Sequence, residues 1–272
     1  MEKSFQKFLK SDAFTVKYAK GPSDRHGKEF HAYHEIIYFL GGTGEFICDD
    51  FRVGLRQNQI MIIPKARYHQ LCMTGNEEDY HRCVIHFDNI PSLHELTDKV
   101  LDKITVFDAD ITMCALLDRV IELTKHTKNE SIAGNVVFAV VILLLEKTLQ
   151  KGNRTRVMNI EPLSHQCLAL INRNLCGSLS VSFLAERLNL SPSALSHIFK
   201  KEMHISVYKY ILEKRLVLAH EKILAGSRAT EAAWECGFHD YSGFYKQYKK
   251  MFGVPPCRKM PVADIRPPQK PL

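Results

Sequence analysis

The 272-residue chain has no uninterrupted apolar run longer than ten residues, Val136 to Leu145. A membrane-spanning helix needs about twenty, so no span is expected. The first twenty residues hold no signal-type apolar core, because Lys3, Lys7, Lys10 and Lys17 interrupt them. The eight cysteines form no C-x-x-C pair and no tight cluster. That argues against a disulfide frame or a zinc knuckle and for reduced thiols in a cytoplasmic protein. No G-x-S-x-G and no H-E-x-x-H occurs, so no nucleophile–base constellation points to an enzyme. Gly41-Gly42-Thr43-Gly44 lies between two strand patterns with no helix after it, which makes it a turn rather than a phosphate-binding loop.

What is present divides unevenly. Residues 1–150 carry a net charge of −3 and residues 151–272 a net of +10, so the overall +7 conceals an acidic half and a basic half. A basic half beside a near-neutral one suggests a polyanion-binding module joined to something else. With 45% apolar and 25% charged residues the chain is globular in composition, and its length predicts about two domains.

Residues 1–28 show no clear period and are expected to form an arm. From Glu29 to Phe87 the pattern is of short strands: Glu35–Leu40, Glu45–Cys48 and Phe51–Val53 around an Asp49-Asp50 turn, Gln59–Ile63 stopping at Pro64, and about Arg82 to Phe87. Such spacing predicts an antiparallel sandwich or barrel. From Ile111 the period becomes helical. The second helix, Ile132 to Leu149, is apolar nearly all round, which predicts burial on more than one side and a dimer contact. Residues 151–163 read as a linker, and the proline-rich tail 261–272 as flexible.

Val181 to Met203 carries the strongest signal. Leu184, Ala185 and Leu188 form a buried stripe, and small Ala185 lets a second helix cross closely. Asn189-Leu190 makes a turn, Ser191 caps the next helix and Pro192 occupies its first position. That helix buries Leu195, Ile198 and Phe199 and shows Ser193, Ser196, His197, Lys200 and Lys201, which is a helix-turn-helix pattern. It recurs further on. Ala229 to Gly237 is followed by a helix capped by Asp240 that buries Phe244 and Tyr248 and shows Tyr241, Ser242, Lys246, Lys249 and Lys250. Between the units runs a helix of about 28 Å, Ser206 to Leu224. It can carry two reading heads toward major grooves about 34 Å apart. Lysines 200, 201, 249 and 250 suit phosphates; His197 and Lys246 suit base edges.

On these residues, together with Arg215-Leu216, Ala219, Leu224, Ala233, Gly237-Phe238 and Phe252-Gly253, residues 164–258 resemble the DNA-binding domain of the AraC/XylS family of bacterial transcription regulators. The chain departs from the family pattern at His204, where Gly is preferred and a strained corner is expected, at Ala229 and Ala232, which predict a thinner core in the second unit, and at Met260, where Arg is common. The strands of 29–87, with Pro64 to His69, Glu35 to Tyr38 and Gly44, resemble the cupin-like sensor domain that precedes the DNA reader in one branch of that family. The resemblance implies a small organic effector, often a sugar, a homodimer made through the helices, and activation by contact with RNA polymerase.

Three roles stay open for the polar residues of the N-terminal strands. One is an effector pocket using His31, Glu35, Tyr38 and His69. Another is a metal site of Glu29, His31, Glu35 and His69, with the first ligand Glu where metal-binding cupins have His. The third is a plain barrel wall. The first is preferred, with no metal and no cofactor expected; His34 should face the other way, and His81 and His86 stay unassigned. The expected architecture is therefore a two-domain chain: an N-terminal antiparallel β-barrel over 1–110, dimerisation helices over 111–150, a linker over 151–163 and an all-α double helix-turn-helix DNA-binding domain over 164–260. The expected function is a DNA-binding regulator that answers a small organic effector. The alternatives are a metal-dependent cupin enzyme fused to a DNA reader, and a dimeric regulator without a ligand.

Overall fold

A computed structural model describes residues 5–10, 14–21, 28–48, 51–76, 79–88, 97, 99–101, 104–127, 129–151, 158–159, 162–203 and 205–257. They form two compact units, one drawn chiefly from residues up to Met158 and the other chiefly from Asn159 onward.

The first unit contains strands β1 (Phe5–Lys10), β2 (Phe14–Lys20), β3 (Lys28–Glu29), β4 (His34–Gly41), β5 (Gly44–Cys48), β6 (Phe51–Gly54), β7 (Gln59–Ile63), β8 (His69–Met73), β9 (His81–Phe87) and β10 (Thr105–Asp108). One antiparallel sheet has the order β1-β2-β9-β4-β7-β10, and a second contains β6-β5-β8-β3. Successive side chains of a strand point to opposite faces, and on the larger sheet the two faces differ in chemistry. Val16, Tyr18, Ile36, Tyr38, Ile60, Ile62, Cys83 and Ile85 share one face and form a core with helices α1 (Ile111–His126) and α2 (Glu130–Lys151). α1 starts where the Asp110 carboxylate accepts from the Met113 N–H at 3.0 Å, and Lys125 and His126 lie in its last turn, where cations suit the helix dipole.

Several expectations change here. The segment expected as an arm supplies β1 and β2, and β2 pairs along its whole length with β9. Phe14, Val16 and Tyr18 alternate there with Thr15 and Lys17, a period-two signal short enough to be hidden by the lysines around it. β8 and β10 are further strands that the sequence pattern did not single out. α2 is long and apolar enough, by length and composition, to cross a membrane. Instead Ala133, Val137, Val140, Val141, Leu144 and Leu145 form a single stripe buried in the sheet core. Ile132, Leu143 and Leu149 remain exposed on its other sides. The Asp49-Asp50 turn lies outside the described residues, although β5 and β6 on either side of it pair antiparallel. So do His204, Met260, the tail 261–272 and most of the expected linker; the next helix already begins at Pro162.

The second unit is helical: α3 (Pro162–Asn174), α4 (Val181–Arg187), α5 (Pro192–Met203), α6 (Val207–Leu224), α7 (Ala229–Glu235) and α8 (Tyr241–Phe252). Leu184 and Ala185 of α4 meet Leu195, Phe199 and Met203 of α5 in a buried core. Leu188 and Ile198, expected in that core, are half-buried. Three helix starts are closed by serine: Ser180 accepts from Phe183 N–H, Ser191 from Ala194 N–H and Ser206 from Lys209 N–H at 3.0–3.2 Å. The second pair is held by rings rather than aliphatics. Phe238 lies against Phe244, Phe244 against Tyr248, and Tyr248 against Phe252, with centroids 4.5–5.4 Å apart. His220 of α6 stacks on Phe252 at 4.3 Å, and its Nδ1 lies 2.7 Å from the Tyr248 hydroxyl. Ala232, where a thinner core was expected, is fully buried.

Arg215 of α6 ties the unit together. Its Nε donates to the Leu175 carbonyl at 2.7 Å, one terminal nitrogen to Gly177 at 2.7 Å and the other to Gly237 at 2.9 Å. The first two carbonyls precede the first helix pair, and the third sits in the turn of the second. Gly237 has φ +82, a left-handed conformation that most L residues avoid, and a Cβ there would lie 2.9 Å from the Arg215 guanidinium carbon. Arg215→Ala removes three hydrogen bonds at once, leaving the Gly177 carbonyl only its bond from the Leu179 N–H, and is expected to destabilise this unit by about 2–4 kcal/mol. Urea unfolding followed by the fluorescence of Trp234, the chain's one tryptophan, reads that loss directly.

Candidate functional site

Two groups of polar side chains stand apart from the cores. The first lies on the face of the larger sheet turned away from the helices. Along β4 the residues alternate so that Ile36 and Tyr38 face α1 and α2, while Glu35 faces the interior between the sheets. β9 behaves likewise: Cys83, Ile85 and Phe87 join the helical core, which leaves Arg82, Val84 and His86 on the Glu35 side. In the smaller sheet Glu29 of β3 pairs directly with His69 of β8. In the larger sheet Glu35 of β4 pairs with His86 of β9. His31 sits in the short connection from β3 to β4. The donor atoms of Glu29, His31, Glu35 and His69 all lie within 4.8 Å of one another. His31, Glu35 and His69 are buried and Glu29 is half-buried.

Glu35 is bracketed by two imidazoles. Its Oε2 is 2.8 Å from His69 Nε2, and its Oε1 is 3.0 Å from His86 Nε2. His69 Nδ1 is 3.1 Å from the Arg67 carbonyl. A carbonyl only accepts, so Nδ1 carries a hydrogen and Nε2 is the nitrogen directed at the carboxylate. Aromatic rings close the surroundings, with Phe46 6.0 Å from His69 and Tyr33 4.4 Å from His86, centroid to centroid. Burial works against a charge on the His69 ring, but the Glu35 carboxylate beside it, Glu29 and the Arg67 carbonyl outweigh it, and the pKa is raised above the ordinary 6.5. Buried Arg82 lies 5.1 Å from the centroid of the Tyr80 ring.

Three of the four residues expected to bind an effector, His31, Glu35 and His69, therefore come together. Tyr38 does not: it sits in the core against the helices, with its hydroxyl 3.2 Å from Asn58 Oδ1. His34 faces the helical side as expected, accepting from the Lys65 N–H at 3.2 Å and packing on Phe87. His81 is on that side too, hydrogen-bonded to Tyr18. His86 and Arg82 were not assigned by sequence reasoning; the alternation 82, 84, 86 along β9 against Cys83, Ile85 and Phe87 is the signal that places them.

The second group covers α5 and α8. On α5, Ser193, Ser196, His197, Lys200 and Lys201 are exposed opposite buried Leu195, Phe199 and Met203. On α8, Ser242, Lys246, Lys249 and Lys250 are exposed and Tyr241 is half-buried, its ring 5.7 Å from Phe244. Asp240 caps α8 by accepting from the Ser242 and Gly243 N–H groups at 3.0 and 2.8 Å. Gly253 ends it with φ 78. The Ser196 hydroxyl donates to the Pro192 carbonyl at 2.7 Å, so it has only lone pairs left to offer outward.

A family model described as an AraC-like ligand binding domain matches residues 13–135, and one described as a helix-turn-helix domain matches residues 184–258. The chain is 24% identical over 231 residues to the probable transcriptional regulator LumQ of Photobacterium leiognathi, a match covering 84% of this chain and 89% of LumQ. It is 26% identical over 188 residues to the HTH-type transcriptional regulator GbdR of Pseudomonas aeruginosa, covering 65% of this chain and 51% of GbdR, about half that protein's length. Among solved structures, ToxT from Vibrio cholerae aligns over 94% of this chain and 97% of its own, at 11% identity and a TM-score of 0.40.

The raised pKa of His69 has a consequence for stability. A group whose folded pKa exceeds its unfolded value, about 6.5 here, contributes stability that is fully present below that value and is lost as the pH rises through the folded pKa. Thermal unfolding of the chain from mildly acid to mildly alkaline pH should show this loss, and His69→Gln should remove it. An identical pH profile in the variant would show that the ring carries no such linkage.

Proposed function

The chain belongs to the AraC family of transcription regulators, and from that premise we propose that it is a cytoplasmic, sequence-specific regulator in which a small ligand bound by the N-terminal domain changes how the C-terminal domain engages DNA. The observation that carries the DNA side is the pair of exposed polar and basic helix faces on α5 and α8, each backed by its own buried stripe, in a half of the chain with a net charge of +10. Lys200, Lys201, Lys249 and Lys250 meet phosphates and supply affinity and salt dependence. His197 and Lys246 reach base edges, with Ser193, Tyr241 and Ser242 beside them. Ser196, tied back to its own helix, contributes least.

The ligand is a small polar organic molecule, a sugar or related metabolite, taken by the interior group of His31, Glu35 and His69, with Arg82 as a further donor. Tyr38 has no part in it. The role is regulatory rather than catalytic. Exposed Ile132, Leu143 and Leu149 of α2 suit a homodimer contact, and the bound dimer activates through RNA polymerase. The effector acts by its unequal affinity for two states of the protein, which is the only way a ligand moves such an equilibrium.

Two measurements test this. A binding sequence is first selected from random DNA, and affinities are read by fluorescence anisotropy. Lys246→Ala should weaken the selected site by about 1–3 kcal/mol and leave random DNA nearly unaffected, whereas Lys249→Ala should weaken both and reduce the salt slope by about one. Equal losses in the two variants would remove the base-reading role of Lys246. Thermal unfolding of the full chain against a panel of sugars and sugar acids tests the effector. A ligand at a hundred times its Kd adds about 2.7 kcal/mol, and a panel without any shift counts against the sugar class.

A further inference from the structure

We infer that Glu29, His31, Glu35 and His69 form a binding site for one divalent first-row transition-metal ion. This rests on the N-terminal domain being a ligand-binding domain and refines how it takes its ligand: the ion sits among the four side chains, and an organic effector reaches them through it.

Size is the first argument. One donor atom from each of the four residues lies within 4.8 Å of every other. Around a tetrahedral ion with bonds of about 2.0–2.2 Å, the donors stand roughly 3.3–3.6 Å apart. Small rotations of four side chains close that gap. A sugar ring cannot fit among atoms so close, because pockets for such ligands run to hundreds of cubic ångströms.

Charge is the second. Two carboxylates and two imidazoles converge where three of the four side chains are buried. A buried carboxylate is costly unless paired. A divalent ion balances Glu29 and Glu35 together with both histidines neutral.

Orientation is the third. The Arg67 carbonyl fixes the hydrogen on His69 Nδ1 and turns Nε2 to the cluster, while His86 holds the second oxygen of Glu35. Outer partners of this kind hold metal-binding histidines and carboxylates in place. The arrangement also spans both sheets: Glu29 and His69 come from paired positions of one, Glu35 from the other. Two imidazole and two carboxylate donors favour zinc, iron(II) or their neighbours over magnesium or calcium, which prefer oxygen donors alone.

The test uses the full chain, stripped with a chelator and then titrated with zinc chloride by calorimetry, with bound metal counted by elemental analysis. One zinc per chain is expected, and affinity should fall more than about 100-fold in His69→Gln and in Glu29→Gln. The half-buried Glu29 gives a variant whose folding is least at risk; circular dichroism and DNA affinity confirm that each variant is folded. No zinc on the folded wild-type chain overturns the inference, as does zinc bound equally by wild type and both variants, which would place it on other histidines. An organic ligand that raises the unfolding temperature of the metal-free chain, when zinc does not bind, would leave the ligand-binding domain standing and remove the ion. Zinc bound as expected with no response to any organic ligand keeps the ion and counts against the sugar effector.

Discussion

Arg215 is the interaction on which the DNA-reading unit depends. The chain must place two short helix pairs at fixed positions along one central helix, and short helices of seven residues have little stability of their own. A guanidinium presents its donors in a rigid planar fork. Here that fork takes the carbonyls of Leu175 and Gly177 and that of Gly237 in the later turn. Desolvation lowers the pKa of Arg215 below that of a free guanidinium, yet an arginine stays charged across the physiological range. A lysine offers one nitrogen in place of three and would leave carbonyls without donors. The aromatic column of Phe238, Phe244, Tyr248, Phe252 and His220 then fills the second pair, with alanines on α7 leaving room for the rings.

The N-terminal unit uses one sheet for two purposes. Ile36 and Tyr38 of β4 build a dry core with two helices, while on the other face Glu35 brings one carboxylate in beside buried Ile37 and Phe39. A carboxylate at position 35 is tolerable only because imidazoles stand at both of its oxygens. Regulation in the proposed scheme begins from that dependence: whatever joins the cluster changes the balance of a buried charge, and the sheets that supply its side chains must respond together.

Much of this was legible in the sequence, and the losses have physical causes. The helix-turn-helix pairs were readable because each compresses its signals into a short stretch: a serine cap, a first-turn proline and 3–4 apolar spacing in the first, and an aspartate cap and positive-φ glycines in the second. Ser191, Pro192, Asp240 and Gly253 sit where those signals placed them. Strands are set by partners distant in sequence, so β1, β2, β8 and β10 carried too little local signal. The inclusion of Tyr38 was avoidable, since positions 35 and 38 differ by an odd number and cannot share a strand face. The grouping of Glu29 with His69 is different. The cupin resemblance named the two together; in the fold they meet through a two-residue strand in another sheet, which no local period foretells. Alternation puts His86 and Arg82 on one face of β9; that His86 stands opposite Glu35 needed the register of β9 against β4.

The closeness of Gly237 to Arg215 also limits how this reader can evolve. Any side chain at 237 must displace the guanidinium, and losing the guanidinium leaves the unusual backbone at 237 without the contact that holds it. Neither position is free to drift while the other stays. In the proposed scheme, new specificities would come from changing exposed positions such as His197 and Lys246, while the geometry tied together by Arg215 is inherited as a block.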